Sequence, residues 1–572
     1  MILDTVRTHP DALAATRPKR RLRLDAWTTG SFAIALVIAV PLVTVIFLAF
    51  TPNGDIWPHL VATVLPHYVS TTLILMTGVG GGTLIIGVGT AWLVTMNRFF
   101  GRRVFEWALL LPLAVPSYVI AYVYTDLLEY AGPIQGMLRD IFGWTNPRQY
   151  WFPEIRSLGG AVAMMTLVLY PYVYLLSRAA FLEQSVCVLE VSRTLGKGPW
   201  RSFFQIALPL ARPAIVIGLS LVLMETLNDF GTVDFFAVAT LTAGIYDVWL
   251  NMNSISGAAQ LATIMLVVVL VLIGMERLAR RSRRFHHTTT RYRTLPRARL
   301  RPVPAALSCL ACAIPVGLGF GVPAFILSRH AFVNFHQSAT PNFFGFAANS
   351  LLLSSASALL AVMIGLFLAY AQRLGRTGAL RSVIRFASIG YAVPGAVLAV
   401  GVLIPLAGLD NAVDGFMHAT FGVSTGLLFS GTIAAIMFGY LVRFLALSFG
   451  TVEASLGKIT QNMDGAARTL GHSAFSTLRR VHLPLMKGSL LTAAILVFVD
   501  CMKELPMTML LRPFNFDTLA TYVHQLASDE LLEESALGAL AIVVSGILPV
   551  IVLSRTIARS RPGQNGTPGE TK

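Results

Sequence analysis

Apolar runs close to the roughly 20 residues that a helix needs to cross a bilayer recur along the whole chain. Twelve can be delimited: roughly 30–50, 68–95, 105–128, 158–176, 213–231 and 259–275 in the first half, and 303–327, 346–371, 386–409, 426–442, 490–511 and 536–553 in the second. Hydrophobic residues make up 55% of the 572 and charged residues only 13%, which excludes an ordinary soluble domain. The expected fold class is an all-α polytopic membrane protein. The run at 30–50 follows a basic stretch, as a secretory signal does, but it is too long and has no small-residue cleavage site, so it is retained as the first span.

Cytoplasmic loops collect lysine and arginine. With a cytoplasmic N-terminus, 38 of the 44 basic residues fall on that side and both termini are inside. The net charge of +16 is therefore a topology signal rather than a sign of nucleic-acid binding, and the basic run at 280–301 reads as a cytoplasmic linker lying against anionic headgroups. Cys187, Cys309, Cys312 and Cys501 form no disulfide framework on this map. The Cys309–Cys312 spacing lies within a span without the second pair that a four-thiolate metal site requires, so these cysteines read as packing residues.

The chain also repeats itself. "IGVGTAWLV" at 86–94 returns as "IGLFLAYAQ" at 364–372, and "AVPSYVIA" at 114–121 as "AVPGAVLA" at 392–399. Six spans per half put both halves in the same orientation, with a pseudo-twofold axis along the membrane normal and a substrate path on that axis. A polar elbow between the fourth and fifth spans is repeated as well: "VSRTLGKGPWRSFFQIALPL" at 191–210 and "AARTLGHSAFSTLRRVHLPL" at 466–485. Each reads as two short helices. Gly196 or Gly471 ends the first, Pro199 or an N-capping Ser473 starts the second, and Leu-Pro closes it. Trp200, Phe203 and Ile206, recurring as Phe475, Leu478 and Val481, are expected to form one apolar stripe per elbow.

These elbows resemble the cytoplasmic loop of ATP-binding-cassette importer permeases written E-A-A-x-x-x-G-x9-I-x-L-P. The first copy supplies Glu190, Gly196, Ile206, Leu208 and Pro209. The second supplies Gly471, Val481, Leu483 and Pro484, with Gly465 at the glutamate position and Asp464 beside it. The resemblance implies a type I permease fold in which each elbow docks a separate ATP-binding subunit. It therefore implies two copies of that subunit, a periplasmic substrate-binding protein, and a location in the bacterial inner membrane among lipid. ATP and Mg2+ would belong to the partner, with no cofactor, metal or catalytic residue in this chain, which has no G-x-x-x-x-G-K-[ST] motif. The segments 228–249 and 503–523 are similar to those of fused ferric-iron permeases, and related permeases carry thiamine, phosphonates or sulfate-like anions. An ion-gradient-driven transporter would share twelve helices in two halves but gives no reason for paired elbows.

Just after each elbow the spans hold ionisable residues: Glu225 and Asp229, then Asp500, Lys503 and Glu504. Glu225 aligns with Asp500 and Asp229 with Glu504. A charge in a span costs at least about 2.5–3.5 kcal/mol on insertion scales and normally faces an interior or a water-filled path. These five are candidates for the translocation path or its gate, with Lys503 neutralising Asp500 or Glu504 as the alternative. The expected organisation is a basic tail at 1–29, a first permease half at 30–279 (core 67–276), a basic linker at 280–302, a second half at 303–556 (core 345–553) and a tail at 557–572.

Overall fold

The computed structural model describes residues 25–50, 56–184, 198–281, 298–375, 378–388 and 390–559. Among them the regular structure is helical, apart from a two-residue parallel pairing of Asn97–Arg98 with Ala298–Arg299. The long helices of the first half are α1 (Ala26–Ala49), α2 (Leu65–Met96), α3 (Ser117–Leu128), α4 (Leu158–Glu183), α5 (Leu208–Asn228) and α6 (Ile255–Arg281). Those of the second are α7 (Pro302–Val333), α8 (Pro341–Leu374), α9 (Gly395–Phe421), α10 (Ile433–Gly457), α11 (Leu483–Met502) and α12 (Leu532–Arg559). Among the described residues ten helices are long and apolar enough to cross a membrane, and a bent pair that includes α3 makes an eleventh. The twelfth expected span, 536–553, coincides with the interior of α12.

Several expected boundaries are corrected. The runs at 105–128 and 386–409 are not single helices, because each breaks at its Ala-Val-Pro. The residue before a proline is disfavoured in the α conformation. Val115 accordingly is extended, Pro116 sits at ψ 146° and Pro394 at ψ 145°, and a new helix starts at the next residue in both halves. In the first half the two pieces meet at 90°. The run at 490–511 likewise stops at Met502 and resumes at Pro506, and that at 213–231 stops at Asn228. The span placed at 426–442 is helix α10, Ile433–Gly457. The expected span ends just before Arg443. Arg443 lies inside that helix, 4% exposed, because a buried partner neutralises it and the charge no longer ends the span.

The halves are interleaved. α1 packs against α8 and α9 of the second half, with Trp27 stacked on Phe367 at 4.9 Å, and α7 packs against α3 and α4 of the first. Both crossings use glycine at the contact: a Cβ on Gly401 would overlap the Pro41 carbonyl, and one on Gly319 would lie 2.7 Å from the Leu167 carbonyl oxygen. Without a hydrophobic drive between helices in lipid, such small residues let backbones approach and gain packing. The first helix of each half thus belongs partly to the other half. Cys309, Cys312 and Cys501 are free thiols, the last two buried, in keeping with packing roles.

Candidate functional site

The broken helices and the ends of α5 and α11 meet between the halves around a cavity of about 80 Å³, several times the volume one water requires. All five charged residues singled out after the elbows line it, together with Arg443, Tyr172 and Tyr391. Residues 275 positions apart in sequence therefore converge on one space.

Repeat-related carboxylates are held there in related ways. Asp229 Oδ1 accepts from the Thr232 amide at 2.9 Å and Glu504 Oε1 from the Met507 amide at 3.3 Å, the same i+3 capping contact in each half. Their other partners differ. Asp229 Oδ2 accepts from the hydroxyls of Ser117 and Thr232, whereas Glu504 pairs with Arg443 at 2.8 Å. Lys503 Nζ pairs with Asp500 at 2.9 Å, and Glu225 accepts from the Tyr391 hydroxyl at 3.2 Å across the half boundary. The Gly395 amide donates to Asn228 Oδ1 at 2.7 Å, which ties the start of α9 to the end of α5. A larger residue there would have to displace the ion pair: a Cβ would lie 2.5 Å from Arg443 Nη1 and 2.7 Å from Glu504 Oε1.

Of these residues, Ser117, Asn228, Tyr391, Gly395 and Arg443 were missed in the sequence. The repeated Ala-Val-Pro signalled Ser117 and Gly395, since it starts a helix at each. Arg443 was visible as a lone cation in the apolar run 436–449.

The elbows lie at the opposite ends of α5 and α11. Of the first, Glu190 and Gly196 fall outside the described residues. In the second, helix Gln461–Thr469 ends at Leu470, Gly471 takes φ +80°, and Ser473 caps the next turn through the Ser476 amide at 3.3 Å. The Leu-Pro does not close that helix. In both elbows the chain continues through a five-residue π-helix, Phe203–Ala207 and Leu478–His482, into α5 and α11. The Leu208 amide reaches back to the Phe203 carbonyl and that of Leu483 to Leu478, and this wider register accommodates Pro209 and Pro484. The single apolar stripe is also corrected. Trp200 and Phe475 are exposed, but Phe203 packs on Trp92 at 4.9 Å and Leu478 is buried, while Ile206 and Val481 are half-buried.

Asp464 faces inward. Its carboxylate takes Arg373 Nε at 2.8 Å, Arg373 Nη2 at 3.0 Å and His482 Nε2 at 2.8 Å. Burial works to raise its pKa, but these hydrogen bonds and charges outweigh it and hold the carboxyl below its usual value.

Residues 83–284 match the family described as binding-protein-dependent transport system inner membrane component. The chain is 26% identical to the Fe(3+)-transport system permease protein FbpB 2 of Haemophilus influenzae, over 86% of this chain and 90% of that one. It is 31% identical to the molybdenum transport system permease protein ModB of Escherichia coli, over 40% of this chain and 96% of ModB. ModB thus corresponds to less than half of the present chain, as expected of one unit of a duplicated permease. The chain belongs to the binding-protein-dependent transport system inner membrane component family, as a fused ATP-binding-cassette importer permease of two homologous halves.

Proposed function

We propose that this permease carries ferric iron through the cavity between its halves, by alternating access driven by two separate ATP-binding subunits on the elbows and supplied by a periplasmic binding protein on the opposite face. In this reading the elbows and both termini are cytoplasmic, and ATP and Mg2+ act in the partner. The observation that carries it is the charge of the cavity. Four carboxylates, Glu225, Asp229, Asp500 and Glu504, face two cations, Lys503 and Arg443, a formal balance of −2. Carboxylate oxygens are natural ligands for a hard cation, and a negative, weakly screened cavity disfavours an oxyanion such as molybdate.

Cross-half contacts at the ends of α3 and α12, away from the elbows, fit a path closed on that side. Arg156, paired within its own half with Glu129 at 2.5 Å, reaches Glu530 of the second half at 3.5 Å, and His330 Nε2 lies 3.3 Å from Asp126. The test is uptake of radiolabelled Fe(III) by cells carrying Glu225→Gln or Asp500→Asn, with assembly checked by copurification of the ATPase. Uptake is expected to fall at least tenfold in each. Wild-type uptake in both removes the carboxylates from the path, and molybdate uptake in place of Fe(III) by the unmodified importer replaces the substrate.

A further inference from the structure

The second elbow is fastened by a charged cluster whose repeat-related positions in the first half hold uncharged residues. Arg373, in the last turn of α8, spans Asp464 of the elbow and also donates to the carbonyls of Leu456 at 2.6 Å and Ile459 at 3.0 Å, at the end of α10. His482, at the end of the π-helix, closes the cluster on Asp464. The three side chains are 13%, 19% and 1% exposed. Beside them the Tyr370 hydroxyl donates to the Ala474 carbonyl at 2.6 Å. The repeat-related residues of the first half are Thr95, Leu189 and Ala207, none of which carries a charge. There the corresponding contact is aromatic, Trp92 against Phe203 and Phe181.

We propose that Arg373, Asp464 and His482 are positioning residues that clasp the second elbow to α8, α10 and α11, so that displacement of that elbow reaches the cavity as movement of one body. The geometry supplies the lever. α11 starts at Leu483, next to His482, and carries Asp500 near its other end, about 25 Å away at 1.5 Å per residue. A bidentate guanidinium–carboxylate pair in a partly buried site is directional as well as attractive, so it resists the sliding that aromatic packing permits. The π-helix between elbow and α11 is the point at which the rod would otherwise flex. The inference rests on the reading that the elbows dock ATP-binding subunits.

The experiment uses the complete importer in proteoliposomes, with radiolabelled Fe(III) on the binding protein as probe, and measures ATPase retention and ATP hydrolysed per ion moved. For Arg373→Met and Asp464→Asn, retention is expected within twofold of wild type and the ATP-to-ion ratio at least tenfold higher. Asp464→Glu is expected to bring the ratio back towards wild type, and Thr95→Val in the first half to leave it unchanged. An unchanged ratio in both clasp variants overturns the proposal. So does loss of the ATPase in both, which would make these residues part of docking. Gly471→Val tests the docking reading separately: ATPase retention and uptake both at wild-type levels would refute it. If the unmodified importer does not move Fe(III), only the substrate reading fails. The clasp is then read from spin labels at Leu470 and Leu491, both exposed. Their distance distribution is expected to be at least twice as broad in Arg373→Met, and equal widths overturn the clasp.

Discussion

The two halves are copies of one design, yet they satisfy equivalent carboxylates by different chemistry. Asp229 is held by hydroxyls and an amide; Glu504, its counterpart, by an arginine and an amide. Position 168 explains the difference: Val168 in α4 and Arg443 in α10 are repeat-related and both line the cavity. The second half also neutralises Asp500 with Lys503, where the first half has Asn228 at the position of that lysine. The second half therefore pairs each of its cavity carboxylates with a cation of its own, whereas Glu225 and Asp229 of the first are held by hydroxyls and an amide. A duplicated scaffold thereby presents an asymmetric lining, with attraction for a cation concentrated on one side of the axis.

The comparison breaks most severely at Arg443. Replacing it by methionine leaves Glu504 buried without its cation, a change that costs about 3–5 kcal/mol. Arg443→Met is expected to lower the unfolding midpoint in detergent sharply, and the double variant Arg443→Met/Glu504→Gln to recover much of that loss, because a neutral pair has no charge to strand. Failure of the double variant to recover would mean that Arg443 matters through its other neighbours. A smaller effect is expected from giving the second half the first half's residue. Gly395→Ser pushes a side chain into Arg443 and Glu504, and overpacking of this kind costs about 1–3 kcal/mol. Unchanged stability would show that the ion pair yields readily. The smallest effect is expected at the mirror position, where Ser117→Ala removes one of several donors to Asp229 and costs about 1 kcal/mol. A loss there as large as that of Arg443→Met would place the critical charge in the first half instead.

Much of this architecture was legible in residue patterns, and the exceptions have physical causes. Window hydropathy found the membrane helices because desolvation dominates there, but it ended α10 at Arg443, since hydropathy treats every arginine as solvated. It also ran through Val115 and Val393, where apolar composition conceals the backbone restriction imposed by the following proline. The elbow glycine was readable because position 471 requires a positive φ. The Leu-Pro that follows was misread as a stop, because the π-helix that accommodates it depends on hydrogen-bond register and not on residue type.

By itself the sequence determined that the chain is a duplicated helical membrane protein with paired elbows and paired acids, because hydropathy, repetition and φ-restricted residues are local properties. Only the tertiary structure decided which charges meet. Asp500 takes Lys503, Glu504 takes Arg443 from another helix, Glu225 takes Tyr391 from the other half, and Asp464 turns inward to Arg373 and His482. Those pairings are set by distances across helix contacts, which residue identity and spacing along the chain do not specify.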